Sequence, residues 1–261
     1  MAIYIGVNGQ VKEVTSGYIG NAKGEPIIIY TSDKLPDGYY PVRYVYTDEA
    51  SASAQLSIGA YTKNTRIICM CSSALENTSS IYEYSDILYG SDSGDNFHFS
   101  FRSHKSSVTY QENYLGTAYG TSGPNELVYT PDGVRNNTDV PISKRYIIDI
   151  NRDTSYGTWL KYGTGSYNLL FNNTVADGPS GANILLGYRS TGADGEGTKY
   201  YYIEIYDNIW TSTKPSKQLY PCMWNNNGTM VAGLYDTVGK QFYGNSYWEN
   251  GPTVPSYDIV L

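Results

Sequence analysis

Apolar and polar residues alternate in short runs along most of this chain, and no stretch carries the i, i+3, i+4 recurrence of an amphipathic helix. In Phe97-His-Phe-Ser-Phe101 the three phenylalanines share one face of an extended segment, while His98, Ser100 and Arg102 share the other. Tyr146, Ile148 and Ile150 form the inward face of a second such segment, and Tyr201, Ile203 and Ile205 that of a third. The pattern predicts strands at 54–58, 66–71, 81–89, 96–103, 107–114, 126–129, 145–151, 156–162, 183–188, 200–207, 217–225, 231–236 and 241–243. Strands of this length, separated by clusters of Gly, Asn, Asp and Ser, predict an all-β sandwich of two antiparallel sheets.

The first residues follow a different plan. Tyr4-Ile-Gly-Val-Asn-Gly9 recurs as Tyr18-Ile-Gly-Asn-Ala-Lys-Gly24, a short extended stretch followed by a glycine-containing turn. Neither copy is large enough to bury a core by itself. The turn-rich Thr31-Ser-Asp-Lys-Leu-Pro-Asp-Gly38 then marks a boundary. The expected organisation is a β-rich attachment or assembly segment at 1–34 and one sandwich domain at 35–261; an extra edge hairpin packed on the sandwich is the alternative for the first segment.

The C-terminal third carries the most specific pattern. Lys199-Tyr-Tyr-Tyr-Ile-Glu-Ile-Tyr-Asp207 leads through Leu219-Tyr-Pro-Cys222 into Gly233-Leu-Tyr-Asp-Thr-Val-Gly-Lys-Gln-Phe-Tyr-Gly244. With Leu35-Pro-Asp-Gly-Tyr39, Ile87-Leu-Tyr-Gly-Ser91 before Asn96-Phe-His-Phe99, and Arg145-Tyr-Ile-Ile-Asp-Ile-Asn151, this order of segments resembles the concanavalin A-like (laminin-G-like) jelly-roll domains of bacteriophage and prophage proteins. The chain departs from that family at Ala54-Gln-Leu-Ser-Ile-Gly-Ala60, where the family often shows Gly-Thr-Gln-Tyr-Ile-Asp-Thr. The resemblance implies a concanavalin A-like jelly roll on a virion surface, made in the bacterial host cytoplasm. It implies binding to other virion proteins through residues 1–34, a homo-oligomer with a trimer favoured, and recognition of a host-envelope or mucus glycan. Purely structural decoration is the alternative.

Composition narrows the function classes. A net charge of −7 argues against nucleic acid as a partner, because that affinity depends on Lys and Arg neutralising phosphates. No apolar run approaches the roughly 20 residues that span a bilayer, and no signal peptide is expected. Cys69, Cys71 and Cys222 cannot all pair within one chain, and no further Cys or His pair completes a tetrahedral metal set, so buried free thiols are expected. The Asn-x-Ser/Thr matches at Asn77, Asn136, Asn172 and Asn227 read as coincidences of an Asn- and Thr-rich chain.

Catalytic signatures are sparse. Glycosidases need two carboxylates about 5–9 Å apart; the nearest local approach, Glu204-Ile-Tyr-Asp207, has a spacing that sends the two side chains to opposite faces of a strand. There is no Gly-x-Ser-x-Gly elbow, phosphate-cradling loop or His-Glu-x-x-His. His98 and His104, the only histidines, read as a solvated strand face, with ligand contact or a metal as the alternative. The loops Asp92-Ser-Gly-Asp-Asn96 and Asp194-Gly-Glu196 have the oxygen ligands that calcium takes, as several laminin-G-like domains do at a loop rim, but ordinary turns use the same residues. The expected reading is a non-enzymatic protein with no cofactor, calcium being left open. The 29 tyrosines carry the binding signal. Tyr200, Tyr202 and Tyr206 on one strand, with Trp210 and Trp248 in turn-rich segments, are the candidate ligand-binding residues; Tyr156, Tyr162 and Tyr167 near Trp159 form a second aromatic group. Flat rings with a polar tip suit stacking on sugars, contacts between subunits, or plain cover for a sheet.

Overall fold

The computed structural model describes backbone and side chains for residues 35–47, 53–62, 64–72, 145–152, 157–161, 165–167, 183–187, 198–254 and 257, and backbone alone for the remaining residues of the elements named below. At the N-terminus, β1 (Tyr4–Val7) pairs with β2 (Gln10–Glu13) and β3 (Ser16–Gly20) with β4 (Pro26–Thr31), each an antiparallel sheet of two strands. The two Tyr-Ile-Gly copies of the repeat fall on β1 and β3, the first strand of each hairpin.

The strands that follow are β5 (Tyr39–Pro41), β6 (Val45–Tyr46), β7 (Leu56–Tyr61), β8 (Arg66–Ser73), β9 (Tyr82–Ser91), β10 (Phe97–Ser107), β11 (Tyr110–Tyr119), β12 (Leu127–Tyr129), β13 (Tyr146–Ile150), β14 (Gly157–Tyr162), β15 (Asn168–Asn172), β16 (Ala182–Leu186), β17 (Thr198–Tyr206), β18 (Lys217–Asn226), β19 (Thr229–Asp236), β20 (Gln241–Gly244) and β21 (Glu249–Asn250). They form two antiparallel sheets packed face to face. The smaller has the order β12-β11-β10-β9-β16-β7; the larger runs β15-β14-β13-β8-β17-β18-β19-β20, with β5, β6 and β21 attached at its side. Among the described residues there is no α-helix, only a 3-10 turn at Ala52–Ala54. The chain is therefore an all-β sandwich, as the alternation predicts, and each predicted strand overlaps an observed one. β5, β6, β15 and β21 lie outside the predicted set.

The main core lies between the sheets. Leu56, Ile58 and Tyr61 of β7 and Ile184 and Leu186 of β16 meet Ile67, Cys69 and Cys71 of β8, Tyr146, Ile148 and Ile150 of β13, and Ile203 and Ile205 of β17. Cys69 and Cys71 share the inward face, and all three cysteines are buried free thiols. A second apolar cluster covers the opposite, outer face of the larger sheet: Ile68, Met70, Ile147, Tyr202, Tyr220 and Tyr257, with Leu35 and Val254 against it. The C-terminal segment reaches that face by running beside residues 41–44. Arg43 N–H donates to Pro252 O, Val254 N–H to Pro41 O, and the Tyr257 hydroxyl to Pro221 O at 2.7 Å. Strands β8, β13 and β17 are thus buried on both sides, which explains apolar runs such as Tyr146-Ile-Ile-Asp-Ile150.

One bulge changes the sides of the tyrosine strand. Opposite Cys71 and Met70 of β8, β17 places Tyr200 and then Tyr202, so Tyr201 is an extra residue. Strict alternation puts Tyr201 inward and Tyr200 outward; the bulge reverses them. Tyr200 is fully buried in the main core, its ring 5.6 Å from that of Trp248 and its hydroxyl accepting from Gly187 N–H.

The run Gly233–Gly244 is explained by a hairpin. Buried Asp236 ends β19, and its Oδ1 accepts from the N–H groups of Gln218 and Val238, tying the turn to the neighbouring strand. Its Oδ2 faces Lys217 Nζ at 3.7 Å, and Lys217 in turn donates to the Tyr243 hydroxyl. The ring of Phe242 lies across Gly233 and Gly244: a Cβ built on Gly233 would collide with Tyr243 O and stand 2.7 Å from that ring. Gly233→Ala is expected to destabilise the protein by about 1–3 kcal/mol through overpacking, read as a lower urea midpoint with an unchanged slope; an unaltered midpoint would show that the strand pair adjusts freely.

Candidate functional site

Four strands of the larger sheet meet at one end of its outer face: β8 and β14 begin there, β13 and β17 finish there. Arg66, the first residue of β8, stands opposite Tyr206, the last of β17, and Asp149 of β13 stands opposite both Ile68 and Trp159. This register lets Arg66 reach diagonally to Asp149 with a two-pronged grip, Nε to Oδ1 at 2.8 Å and Nη2 to Oδ2 at 2.7 Å. The guanidinium also lies 5.2 Å from the centre of the Tyr206 ring. Next, Asn151 adopts φ of 55° and turns the chain, its side-chain amide donating to the Tyr61 hydroxyl and to Thr65 O. That turn brings Arg152 onto Tyr167 at 3.7 Å from the ring centre and 5.6 Å from that of Trp159. Lys161 Nζ approaches the same Tyr167 ring at 5.4 Å.

Glu204 completes the face. Buried among tyrosines, it accepts from the Tyr202 hydroxyl at 2.5 Å, the Tyr206 hydroxyl at 2.9 Å and Gln218 Nε2 at 3.1 Å. Burial first, then the charge of Glu204 and its hydrogen bond, push the Tyr206 hydroxyl up to about 12; the same causes, with Tyr220, raise Tyr202 further. Burial pushes the Asp149 carboxyl up, and its bonds and charge contact with Arg66 oppose this.

The structure separates the five candidate residues. Tyr206 is half-buried beside Arg66, and Trp210 is 57% exposed. Trp210 sits in the loop that leaves β17, held at this end of the sheet by Ile209 N–H donating to Asn64 O. Tyr200, Tyr202 and Trp248 are not surface groups. Tyr200 is turned into the main core by the bulge, Tyr202 is 2% exposed under the outer cluster with its hydroxyl committed to Glu204, and Trp248 is 4% exposed with Nε1 donating to Ala54 O at 2.6 Å. From the second aromatic group, Trp159 and Tyr167 join Tyr206 on the outer face; Tyr156 and the side chain of Tyr162 lie outside the described residues, as do the side chains of His98 and His104 and the loops at 92–96 and 194–196. Among the described residues no group of three or more His, Cys, Asp or Glu is arranged to hold a metal ion. Arg66, Asp149 and Arg152 are the residues that sequence reasoning misses. The available signal is Asp149 itself, one carboxylate in an otherwise apolar strand.

The chain matches no protein-family model, and comparison with curated proteins finds no match either.

Asp149 and Glu204 both stand opposite Ile68, on the strands flanking β8. Two strand spacings put their Cα atoms about 10 Å apart, close to the upper end of the carboxyl separation that an inverting glycosidase uses. Their partners matter more than the spacing. Asp149 is 1% exposed and gripped by Arg66, and Glu204 is 7% exposed with three donors on it. Neither is available to a glycosidic oxygen or a water. Both act as anchors that hold cations and tyrosines in place.

Two outcomes follow. Asp149→Asn should cost about 2–3 kcal/mol in urea unfolding, the scale of charge-assisted hydrogen bonds lost from a shielded group, while Tyr206→Phe should cost about 1 kcal/mol or less. The raised tyrosines set an alkaline limit. Folded Tyr206 keeps its proton up to about 12, whereas the unfolded chain releases it near the ordinary value of 10.0, so the unfolded state binds fewer protons in that window. Stability should be undiminished at neutral pH and fall as pH rises from about 10 to about 12; urea midpoints that stay level across this window would contradict the burial of the cluster.

Proposed function

We propose that this chain is a non-enzymatic virion-surface protein of a bacteriophage or prophage that binds a host-envelope or mucus glycan, and that the binding site is the outer-face end of the larger sheet. The observation that carries this reading is the grouping of Tyr206, Trp159 and Tyr167 on one solvent-side face, stiffened from below by Arg66–Asp149 and by Glu204. Flat rings suit the apolar faces of sugars, and fixed donors and acceptors between them read hydroxyl groups. Trp210, on the adjoining loop, is the fourth ring. The resemblance of the C-terminal third to phage concanavalin A-like domains supports the virion setting. The paired hairpins at 4–31 support an attachment role, since isolated two-stranded sheets are marginal alone, and a trimer would multiply weak individual sites.

Binding of the full-length protein to bacterial surface and mucin glycans, with calcium and then with chelator, tests the proposal. Saturable binding to one glycan class is expected, weakened about tenfold or more by Tyr206→Ala or Trp159→Ala, the size of loss that truncating an aromatic anchor produces. Tyr200→Phe should leave affinity unchanged, because that ring is in the core. No reducing ends should be released. A protein that attaches to particles through residues 1–34 and ignores every glycan is a decoration protein instead.

A further inference from the structure

The charge on the proposed face is opposite to that of the whole chain. The protein carries a net −7, yet the outer face of the larger sheet gathers Arg66, Arg145, Arg152, Lys161 and Lys199, each set against a tyrosine ring. Among the described residues, Asp149 and Glu204 are buried and saturated with donors, while Glu249, opposite Tyr46 at the other end, is exposed and accepts from the Tyr46 hydroxyl. Around Tyr167 the charged side chains left accessible among the described residues are Arg152 and Lys161.

The excess is sharpest around Tyr167. Arg152 and Lys161 lean on that one ring at 3.7 and 5.4 Å, so the two charges stand within about 9 Å of each other, inside a Debye length at ordinary salt. The one carboxylate in reach of Arg152 among the described residues is Asp149, at 3.9 Å and already gripped by Arg66. Asp207, next after Tyr206, accepts instead from the Ser216 hydroxyl. Donors outnumber acceptors here in a second way: Arg152 Nη1 and Trp159 Nε1 are both screened from solvent and both lack an acceptor. Buried donors without partners are rare in folded proteins and call for an explanation. An anion supplies one only where the atoms that cover these two groups move aside.

Resting on the glycan-binding reading above, we infer that the ligand of this face is an acidic glycan whose sugar carboxylate is taken between Arg152 and Lys161 beside Tyr167 and Trp159. A ring face on an aromatic plane and a carboxylate on a guanidinium are the two contacts a uronate or sialate residue makes at once. Arg145 over Tyr201 and Lys199 over Tyr44 repeat the cation-on-tyrosine pairing at the other end of the same strands. From Arg145 to Asp149 along β13 is about 13 Å at the usual rise per residue, so a polyanionic chain lying along the strand meets positive charge at both ends.

The test uses full-length protein and uronate- and sialate-bearing oligosaccharides, each paired with its own carboxyl methyl ester. The acids should bind, each ester should bind about tenfold or more weakly, and added salt should weaken the acids alone. Lys161→Gln and Arg152→Gln should each lower affinity for the acids about tenfold without altering the esters, with Arg152→Lys recovering part of the loss. Lys240→Asn, at the exposed β19–β20 turn, should change nothing. Equal binding of acid and ester would overturn the acidic-ligand inference and leave glycan recognition standing. Failure of every acid and every ester to bind would overturn the acidic-ligand inference, and failure of the neutral bacterial surface and mucin glycans as well would overturn both. Preference for the acids that survives both glutamine variants would remove Arg152 and Lys161 from the site.

Discussion

Strand β17 has to serve two faces, and the one-residue bulge at Tyr201 is the constraint on which the rest of the sheet depends. Below the bulge, Tyr200 enters the core, packs at a tilt against Trp248 and accepts from Gly187, joining β16, β17 and the 3-10 turn near Ala54. Above it, Ile203 and Ile205 continue the core while Tyr202, Glu204 and Tyr206 line the outer face. Without the extra residue every side chain on one side of that point would change faces. A buried tyrosine would be exposed, or a glutamate would enter the apolar core, where an unpaired charge is prohibitive.

Period-2 alternation makes most strands legible in the amino-acid sequence alone. It places the inward faces of Tyr146, Ile148 and Ile150 and of Ile203 and Ile205 correctly, because those strands are regular and the core selects one face. It fails at Tyr200 because a bulge leaves the composition of a strand untouched and shifts only its phase. It misses β15, whose Asn-Leu-Leu-Phe-Asn has apolar residues in a continuous run with no alternation to detect. Trp248 reads as a loop aromatic; it lies in a loop, but one whose indole is drawn under the 3-10 turn to donate to Ala54 O. Loop position and exposure are separate properties.

The candidate site is only partly legible for a related reason. Rings can be counted along a sequence, but Arg66, Asp149 and Glu204 are 83 and 55 residues apart and meet only through the register of β13, β8 and β17. Asp149 in its apolar strand announces that it has a partner, but nothing local in Thr65-Arg-Ile-Ile or in Ile148-Asp-Ile says which. The C-terminal run illustrates the converse. Gly233-Leu-Tyr-Asp-Thr-Val-Gly-Lys-Gln-Phe-Tyr-Gly244 is the most distinctive pattern in the chain, and its residues build a hairpin: Asp236 holds the turn, and glycines make room for Phe242. Distinctive sequence there reports on folding.

Burying Asp149 and Glu204 has a consequence beyond stability. An exposed Asp149 or Glu204 would neutralise the cations in water and make the surface electrostatically bland. Committed inside instead, Asp149 fixes the Arg66 guanidinium against Tyr206, and Glu204 fixes the hydroxyl ends of Tyr202 and Tyr206, so that rings and cations are preorganised before anything binds. Fewer side chains then lose freedom on association. Cations resting on tyrosine faces keep their charge while shedding part of their water, so less desolvation stands between them and an anion. A face built in this way favours rigid, flat, negatively charged partners over neutral ones, although the chain as a whole repels negative charge. That opposition restricts attraction to short range, within about a Debye length of the sheet, where the geometry of the rings also operates.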